Sequence, residues 1–218
     1  MKPSSACAAQ VSQDKRPRGR PACSKFDGAD ALLKSARQAF ATRGFEATSV
    51  REIGRASGVD PALISHYFGS KEALWIAVVE QIARHAAPMI ELTGKLRNAD
   101  LTHRQRVEQA LSIFIDKVFS EPDIGMFFST TATEEGGRLS LLVDRLLRPY
   151  HDVFVPLLVD AIRSGELAPN DPDILFAMLT NAVGKTVSYS HLLSIFSPLP
   201  NNPTKFKDSV LGIALSMI

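Results

Sequence analysis

Apolar residues recur along this 218-residue chain at three- and four-residue intervals, and strict alternation is nowhere sustained. That periodicity predicts an all-α fold. Ala29, Leu32, Leu33, Ala36 and Phe40 form a first stripe. Asp27 stands as N-cap of the helix that carries it, Asp30 favours its first turn, and Gly44 gives it a left-handed end onto which Phe45 folds back. Ser49 and Glu52 have capping-box spacing ahead of a short helix whose Val50, Ile53 and Ala56 face inward. Gly58 supplies a turn with positive φ, Asp60 caps a third helix, Pro61 takes its first position, and Ile64 and Phe68 point to the shared core. Ser70 then caps a longer helix with Leu74, Val78, Ile82 and Ala86 on one face, kinked or closed by Pro88.

The remaining segments keep the same period. Thr102 and Gln105 make a second capping box before Val107, Leu111, Phe114, Ile115 and Val118. A short apolar helix falls around Ile124 to Phe128. Leu139 to Ile162 reads as a long helical stretch with a bend or break at Pro149 or Pro156, stopped by Gly165. Asp171 and Pro172 open a helix to about Ile195, and Lys205 to Met217 makes the last.

Charge divides the chain unevenly. Residues 1–71 carry 12 Lys and Arg against 6 Asp and Glu, whereas residues 72–218 carry 13 against 17. A basic N-terminal third points to a polyanionic partner, and an acidic remainder to a different task. The predicted organisation is a basic arm over residues 1–24, a three-helix unit over 25–71 and a helical domain over 72–218. Within the arm, Arg18-Gly19-Arg20-Pro21 resembles an AT-hook, in which an extended, slim backbone presents arginines to the narrow minor groove of A·T-rich DNA. A solvated basic tail is the alternative reading.

The segment Gly44 to Leu74, GFEATSVREIGRASGVDPALISHYFGSKEAL, resembles the DNA-binding domain of TetR-type transcriptional repressors in helix lengths, turn glycine, aromatic pair and closing lysine. With Ile64 and Phe68 inward, helical geometry leaves Pro61, Ala62, Leu63, Ser65, His66 and Tyr67 on or near the open face. Ala62 and Leu63 suit thymine methyl groups, Ser65 and His66 suit base edges or phosphates, and Tyr67 and Lys71 suit the backbone. Ser49 and Arg51, at the start of the preceding helix, complete the expected contact set, with Arg51 on a guanine or a phosphate. Ser65, Tyr67 and Gly54 stand where the family commonly has Tyr, His and Ala. The base sequence recognised therefore does not carry over from relatives.

The resemblance implies a homodimer formed through the last two long helices, about residues 172–195 and 204–217, with the small residues Ala177, Ala182, Gly184 and Ser188 permitting close helix approach. It implies a near-palindromic double-stranded DNA operator, with half-sites roughly one helical turn apart, and a small-molecule effector that releases the repressor. The segment Glu134 to Leu167 also resembles the C-terminal domain of CecR-like members of the family. Phe114, Phe128 and Met178 are core residues by default, yet with Thr131, His151 and Asn181 they are the candidate walls of an apolar effector pocket. A helical ligand-binding or adaptor protein without operator binding is the alternative function.

Other chemistry finds little support. Gly184-Lys185-Thr186 has the end of a phosphate-loop motif, but Leu179 occupies the position that needs glycine and helix replaces the required strand. The five histidines, at 66, 85, 103, 151 and 191, lack ligand spacing, so no metal or cofactor is expected, and no frame for an enzyme is visible. Cys7 and Cys23 both lie in the arm, where they staple no core. No continuous apolar segment suits a signal peptide or a membrane span, and a cytoplasmic location is expected.

Overall fold

The apolar period becomes helix wherever the structure describes the chain. The computed structural model describes residues 25–131 and 136–218, with no strand among them. The Arg18-Gly19-Arg20 arm and both cysteines lie outside the described residues. The helices are α1 (Lys25–Arg43), α2 (Val50–Ser57), α3 (Pro61–Phe68), α4 (Lys71–Lys95), α5 (His103–Ser120), α6 (Pro122–Thr131), α7 (Gly137–Leu142), α8 (Arg148–Arg163), α9 (Pro172–Ser188), α10 (Ser190–Leu193) and α11 (Pro203–Ser216).

Local capping chemistry sets most of these boundaries. Both capping boxes form, Ser49 with Glu52 and Thr102 with Gln105. Asp60, Ser70 and Asp171 accept from the first-turn amides of α3, α4 and α9. The start of α1 differs from expectation: the helix begins at Lys25, so Asp27 lies inside its first turn instead of capping it. Ala29 and Ala56 are exposed, because the buried stripe of each helix is narrower than its apolar pattern.

Helices α1, α2 and α3 form an N-terminal head whose core does not close on itself. Leu32, Leu33, Ala36, Phe40, Ile53 and Ile64 pack with Leu74, Trp75, Val78 and Val79 of α4, and with Phe127 of α6 and Leu142 of α7. The Trp75 ring stacks on Phe127 with centroids 5.9 Å apart and meets Phe45 edge-on at 6.5 Å. Removing a buried ring of this kind costs about 3–5 kcal/mol. The packing unit therefore runs past Lys71, where charge alone suggests a boundary. A second core joins α4, α5, α8 and α9 around Leu111, Tyr150, Phe154, Phe176 and Leu179.

Two helix ends differ from expectation, at Pro88 and after Ser188, while the break expected near Pro149 takes a particular form. Pro88 lies inside α4, which continues to Lys95 because Met89 and Thr93 beyond it are buried and held in place. The irregularity between α7 and α8 is a wide π-helical turn, Val143–Leu147, just ahead of Pro149. Such a turn absorbs a residue whose ring clashes with the preceding carbonyls and which donates no hydrogen bond. α9 stops at Ser188, earlier than its apolar pattern, and only the short α10 follows.

Small residues on α9 serve contacts within the chain. Gly184 and Ser188 face Gly125 of α6, and Ser188 Oγ donates to the Pro122 carbonyl at 2.7 Å. A Cβ on Gly125 would collide with Ser188 Oγ and sit 3.2 Å from the Gly184 carbonyl oxygen. Ser188, expected at a dimer interface, is thus used to bring α6 onto α9, whereas a Cβ on Gly184 would meet open space.

At the other end of α9, His151 of α8 bridges helices, with Nε2 2.7 Å from Asp173 Oδ1 and Nδ1 3.2 Å from Asp152 Oδ1. Partial burial pulls its pKa down, but the two carboxylates outweigh that and hold it above the ordinary value of 6.5.

Gly125→Ala should destabilise the fold by about 1–3 kcal/mol in chemical denaturation through overpacking, and adding Ser188→Ala should recover most of the loss. The His151 clasp contributes fully below pH 6.5 and fades as pH rises through its raised folded value. The stability difference between wild type and His151→Gln should therefore shrink across that rise in thermal melts.

Candidate nucleic-acid interface and ligand cavity

Helices α2 and α3 meet at a turn that their sequence makes unusually tight. Gly58 adopts φ 67°, and the Val59 amide donates to the Gly54 carbonyl at 3.0 Å. A Cβ on Gly54 would lie 2.7 Å from the Val59 carbonyl oxygen and 3.0 Å from Pro61 Cγ. Glycine at this position, where the resembling family commonly has alanine, lets the two helices close to this distance. Ser49 Oγ accepts from the Glu52 amide at 3.2 Å, while Arg43 Nη1 lies 2.6 Å from Glu52 Oε1. The backbone and side-chain hydrogen bonds from Ser49, followed by that from Arg43, hold the Glu52 carboxyl below its ordinary range.

The opposite faces of α3 are sharply different. Ile64 is buried and Phe68 packs against the head core. Ala62, Leu63, Ser65, His66 and Tyr67 are exposed, Leu63 at 45% and Tyr67 at 58%. Pro61 is half-buried in the turn, whereas Ser49 and Arg51 are exposed. Arg51 has no ion pair among the described residues. Lys71 is placed differently from expectation: its ammonium donates to the Phe45 carbonyl at 2.9 Å and lies 4.3 Å from the Phe45 ring centroid. It braces the head, and the donor expected to reach outward is already engaged.

Behind the head, α4, α5, α6, α8, α9 and the π-helical turn enclose a cavity of about 390 Å³. Ile82, Met89, Phe114, Val118, Phe128 and Phe176 make its wall mainly apolar. Lys117, Glu121, His151, Asp173, Asn181 and Lys185 provide polar groups. Of the expected effector residues, Phe114, Phe128, His151 and Asn181 line it. Thr131 is buried elsewhere on α6, and Met178 is 56% exposed on the outer face of α9 with Ile174. The Tyr150 ring also borders the cavity and stacks on Phe114 at 5.4 Å. Its hydroxyl is buried without a hydrogen-bond partner among the described residues, and burial drives its pKa far above that of an ordinary phenol.

Polar contacts tie the α5–α6 corner, α6 and α7 to the head. Arg37 of α1, only 4% exposed in its side chain, grips Asp123 through Nε at 2.8 Å and Nη2 at 3.3 Å, and lies 3.6 Å from Glu121. Arg138 of α7 bridges Glu46 at 3.1 Å and Glu72 at 3.3 Å. Thr130 Oγ1 donates to the Ala41 carbonyl at 2.8 Å. Breaking a buried pair such as Arg37–Asp123 costs about 3–5 kcal/mol. Sequence reasoning passed over Arg37, although a charge four residues after Leu33 and four before Ala41 interrupts a buried stripe. Nothing local marked Glu121 and Asp123 as its partners.

Among the described residues, no helix is long and apolar enough to cross a membrane, and no group of three or more His, Cys, Asp or Glu could hold a metal ion. Residues 32–78, from α1 to the first part of α4, match the family of bacterial regulatory proteins described as the tetR family. The chain is 29% identical over 153 residues to the HTH-type transcriptional regulator RutR of Escherichia coli, covering 68% of each protein. It is 32% identical over 130 residues to the HTH-type transcriptional regulator BetI of Rhizobium meliloti, covering 54% of this chain and 59% of that one. The fold is shared with the hemolysin II transcriptional regulator HlyIIR, at TM-score 0.64 and 19% identity over 86% of this chain and 96% of the other. It is also shared with FadR of Bacillus subtilis in complex with stearoyl-CoA, at TM-score 0.61 and 18% identity over 87% and 98%. The exposed face of α3 on its tight α2–α3 turn thus sits within a shared sequence and a shared helical architecture, and the chain belongs to the TetR family of transcriptional regulators.

Proposed function

We propose that this regulator is a homodimeric repressor that holds a near-palindromic operator and lets go when a small molecule fills the cavity behind its head. The observation that carries this reading is the exposed face of α3, with Ala62, Leu63, Ser65, His66 and Tyr67 open to solvent. Inserted into a major groove, Leu63 and Ala62 meet thymine methyl groups, and Ser65 and His66 meet base edges or phosphates. Ser49, Arg51 and Tyr67 hold the backbone. The arm with Arg18, Gly19 and Arg20 adds a minor-groove contact in this scheme.

Pairing runs through α9 and α11, whose exposed Ile174, Met178 and Ile213 support a covered face. A two-fold dimer of this kind presents two α3 helices roughly 34 Å apart. Ile82, Ala86 and Met89 of α4 line the cavity while Leu74, Trp75 and Val78 root the same helix in the head. An effector that favours a different α4 position releases DNA in proportion to its differential affinity for the two states. The complex of FadR with stearoyl-CoA supports a small-molecule ligand for a regulator of this fold.

A salt-titrated shift assay with selected genomic fragments tests the reading. Binding should fall steeply with salt, and Arg51→Ala should reduce the slope of log affinity against log salt by about 1 if it holds a phosphate. Leu63→Ala should cost about 1 kcal/mol or more in discrimination between operator variants while leaving the fold intact. Light scattering should give twice the chain mass at micromolar concentration, and a monomer there would remove the two-fold geometry.

A further inference from the structure

Cavity and head share an ionic contact at one carboxylate. Glu121, between α5 and α6, lines the cavity and faces three bases: Lys117 Nζ 3.2 Å from Oε2, His85 Nδ1 2.9 Å from Oε1, and Arg37 Nη1 3.6 Å from Oε2. Lys117 belongs to the cavity wall, whereas Arg37 belongs to the first helix of the head. We propose that the effector is a mainly apolar molecule carrying one anionic group that takes Lys117 from Glu121, and that Glu121 transmits the exchange to α1 through Arg37. This rests on the reading of the protein as an effector-released DNA-binding regulator.

The wall chemistry selects the charge. An ionised group entering an apolar cavity needs a counterion there. His151 is already held by Asp152 and Asp173, and Lys185 is exposed. Lys117 is largely buried, at 20% side-chain exposure, on a flexible stem. Withdrawing it leaves Glu121 with His85 at 2.9 Å and Arg37 at 3.6 Å, so the carboxylate keeps basic neighbours when an anion takes the lysine. A cationic ligand would instead meet a carboxylate already flanked by Lys117, His85 and Arg37. Once Lys117 turns away, Glu121 acts more strongly on Arg37, which at present is bound closely to Asp123 and only at 3.6 Å to Glu121. A guanidinium drawn between two carboxylates on the α5–α6 corner shifts the helix that carries it, and α1 is a wall of the head core.

Two dyes with the same fused-ring body separate the charge from the apolar surface: anilinonaphthalene sulfonate and the uncharged phenylnaphthylamine. Fluorescence titration of the full chain should show Lys117→Met weakening the sulfonate by roughly tenfold or more, the loss of one charge-assisted hydrogen bond. The uncharged dye should be little changed, and Lys117→Gln should repeat the pattern if the Met variant folds poorly. Lys185→Met should leave both dyes nearly unchanged, and Ala86→Phe, which fills the cavity, should remove both. In the shift assay the sulfonate should weaken DNA binding by the wild type and much less by Glu121→Gln, and DNA should weaken sulfonate binding by the same factor. Equal losses for the two dyes on Lys117→Met, loss on Lys185→Met instead, or binding that survives Ala86→Phe would overturn the anionic site. Equal release of DNA from wild type and Glu121→Gln would overturn the relay. A wild type that binds no DNA without dye would defeat the regulator reading, while the dye comparison would still decide the ligand class.

Discussion

Burial of α4 on two sides is the constraint from which most of this molecule follows. One helix of 19 residues and two of eight, α1, α2 and α3, enclose too little apolar surface to close a core unaided. Trp75, Val78 and Val79 of α4 complete it, and Phe127 of α6 covers the tryptophan. One or two turns further along, Ile82, Ala86 and Met89 of the same helix line the cavity. The head therefore has no core independent of the helices behind it. A change in cavity packing acts on a helix whose other end supports the α2–α3 turn, because close-packed interiors transmit strain.

Charged contacts add direction to that apolar coupling. A buried guanidinium is expensive unless it is fully paired, and a well-packed apolar residue at Arg37 could stabilise the junction as well or better. Arg37 instead has two carboxylates within reach, on a corner that also faces the cavity. Two alternative partners for one buried cation make a contact with two arrangements, which an apolar side chain would not provide. The opposite link, Arg138 to Glu46 and Glu72, is more exposed at its acidic ends and accordingly contributes less. The Phe45 ring between Lys71 and Arg138 joins the head to α4 and α7 by cation–π contact.

Features that depend on a few neighbouring residues were legible in the sequence. The boxes at Ser49 and Thr102, the caps at Asp60, Ser70 and Asp171, and the left-handed turns at Gly44 and Gly58 each satisfy backbone groups within one helical turn. The exposed face of α3 followed from Ile64 and Phe68 alone, since a helix that buries two positions leaves the others outward. Lys71 could not be assigned this way: its partner carbonyls at Phe45 and Glu46 come from a loop more than twenty residues earlier. Four of the six expected effector residues reached the cavity, but residue type cannot say which side of α9 is inward, and Met178 lies outside.

The sequence by itself thus determined an all-helical chain, the position of most helix ends, a helix-turn-helix preceded by a basic arm, and its kinship with TetR-type regulators. These properties are set by periodicity, capping and charge, all short-range. Only the tertiary structure decided that Gly125 meets Gly184 and Ser188, that α4 belongs to two cores, and that Arg37 reaches Glu121 and Asp123 more than eighty residues away. Those choices come from how helices pack against one another, and a contact between distant residues leaves no periodic trace in either segment.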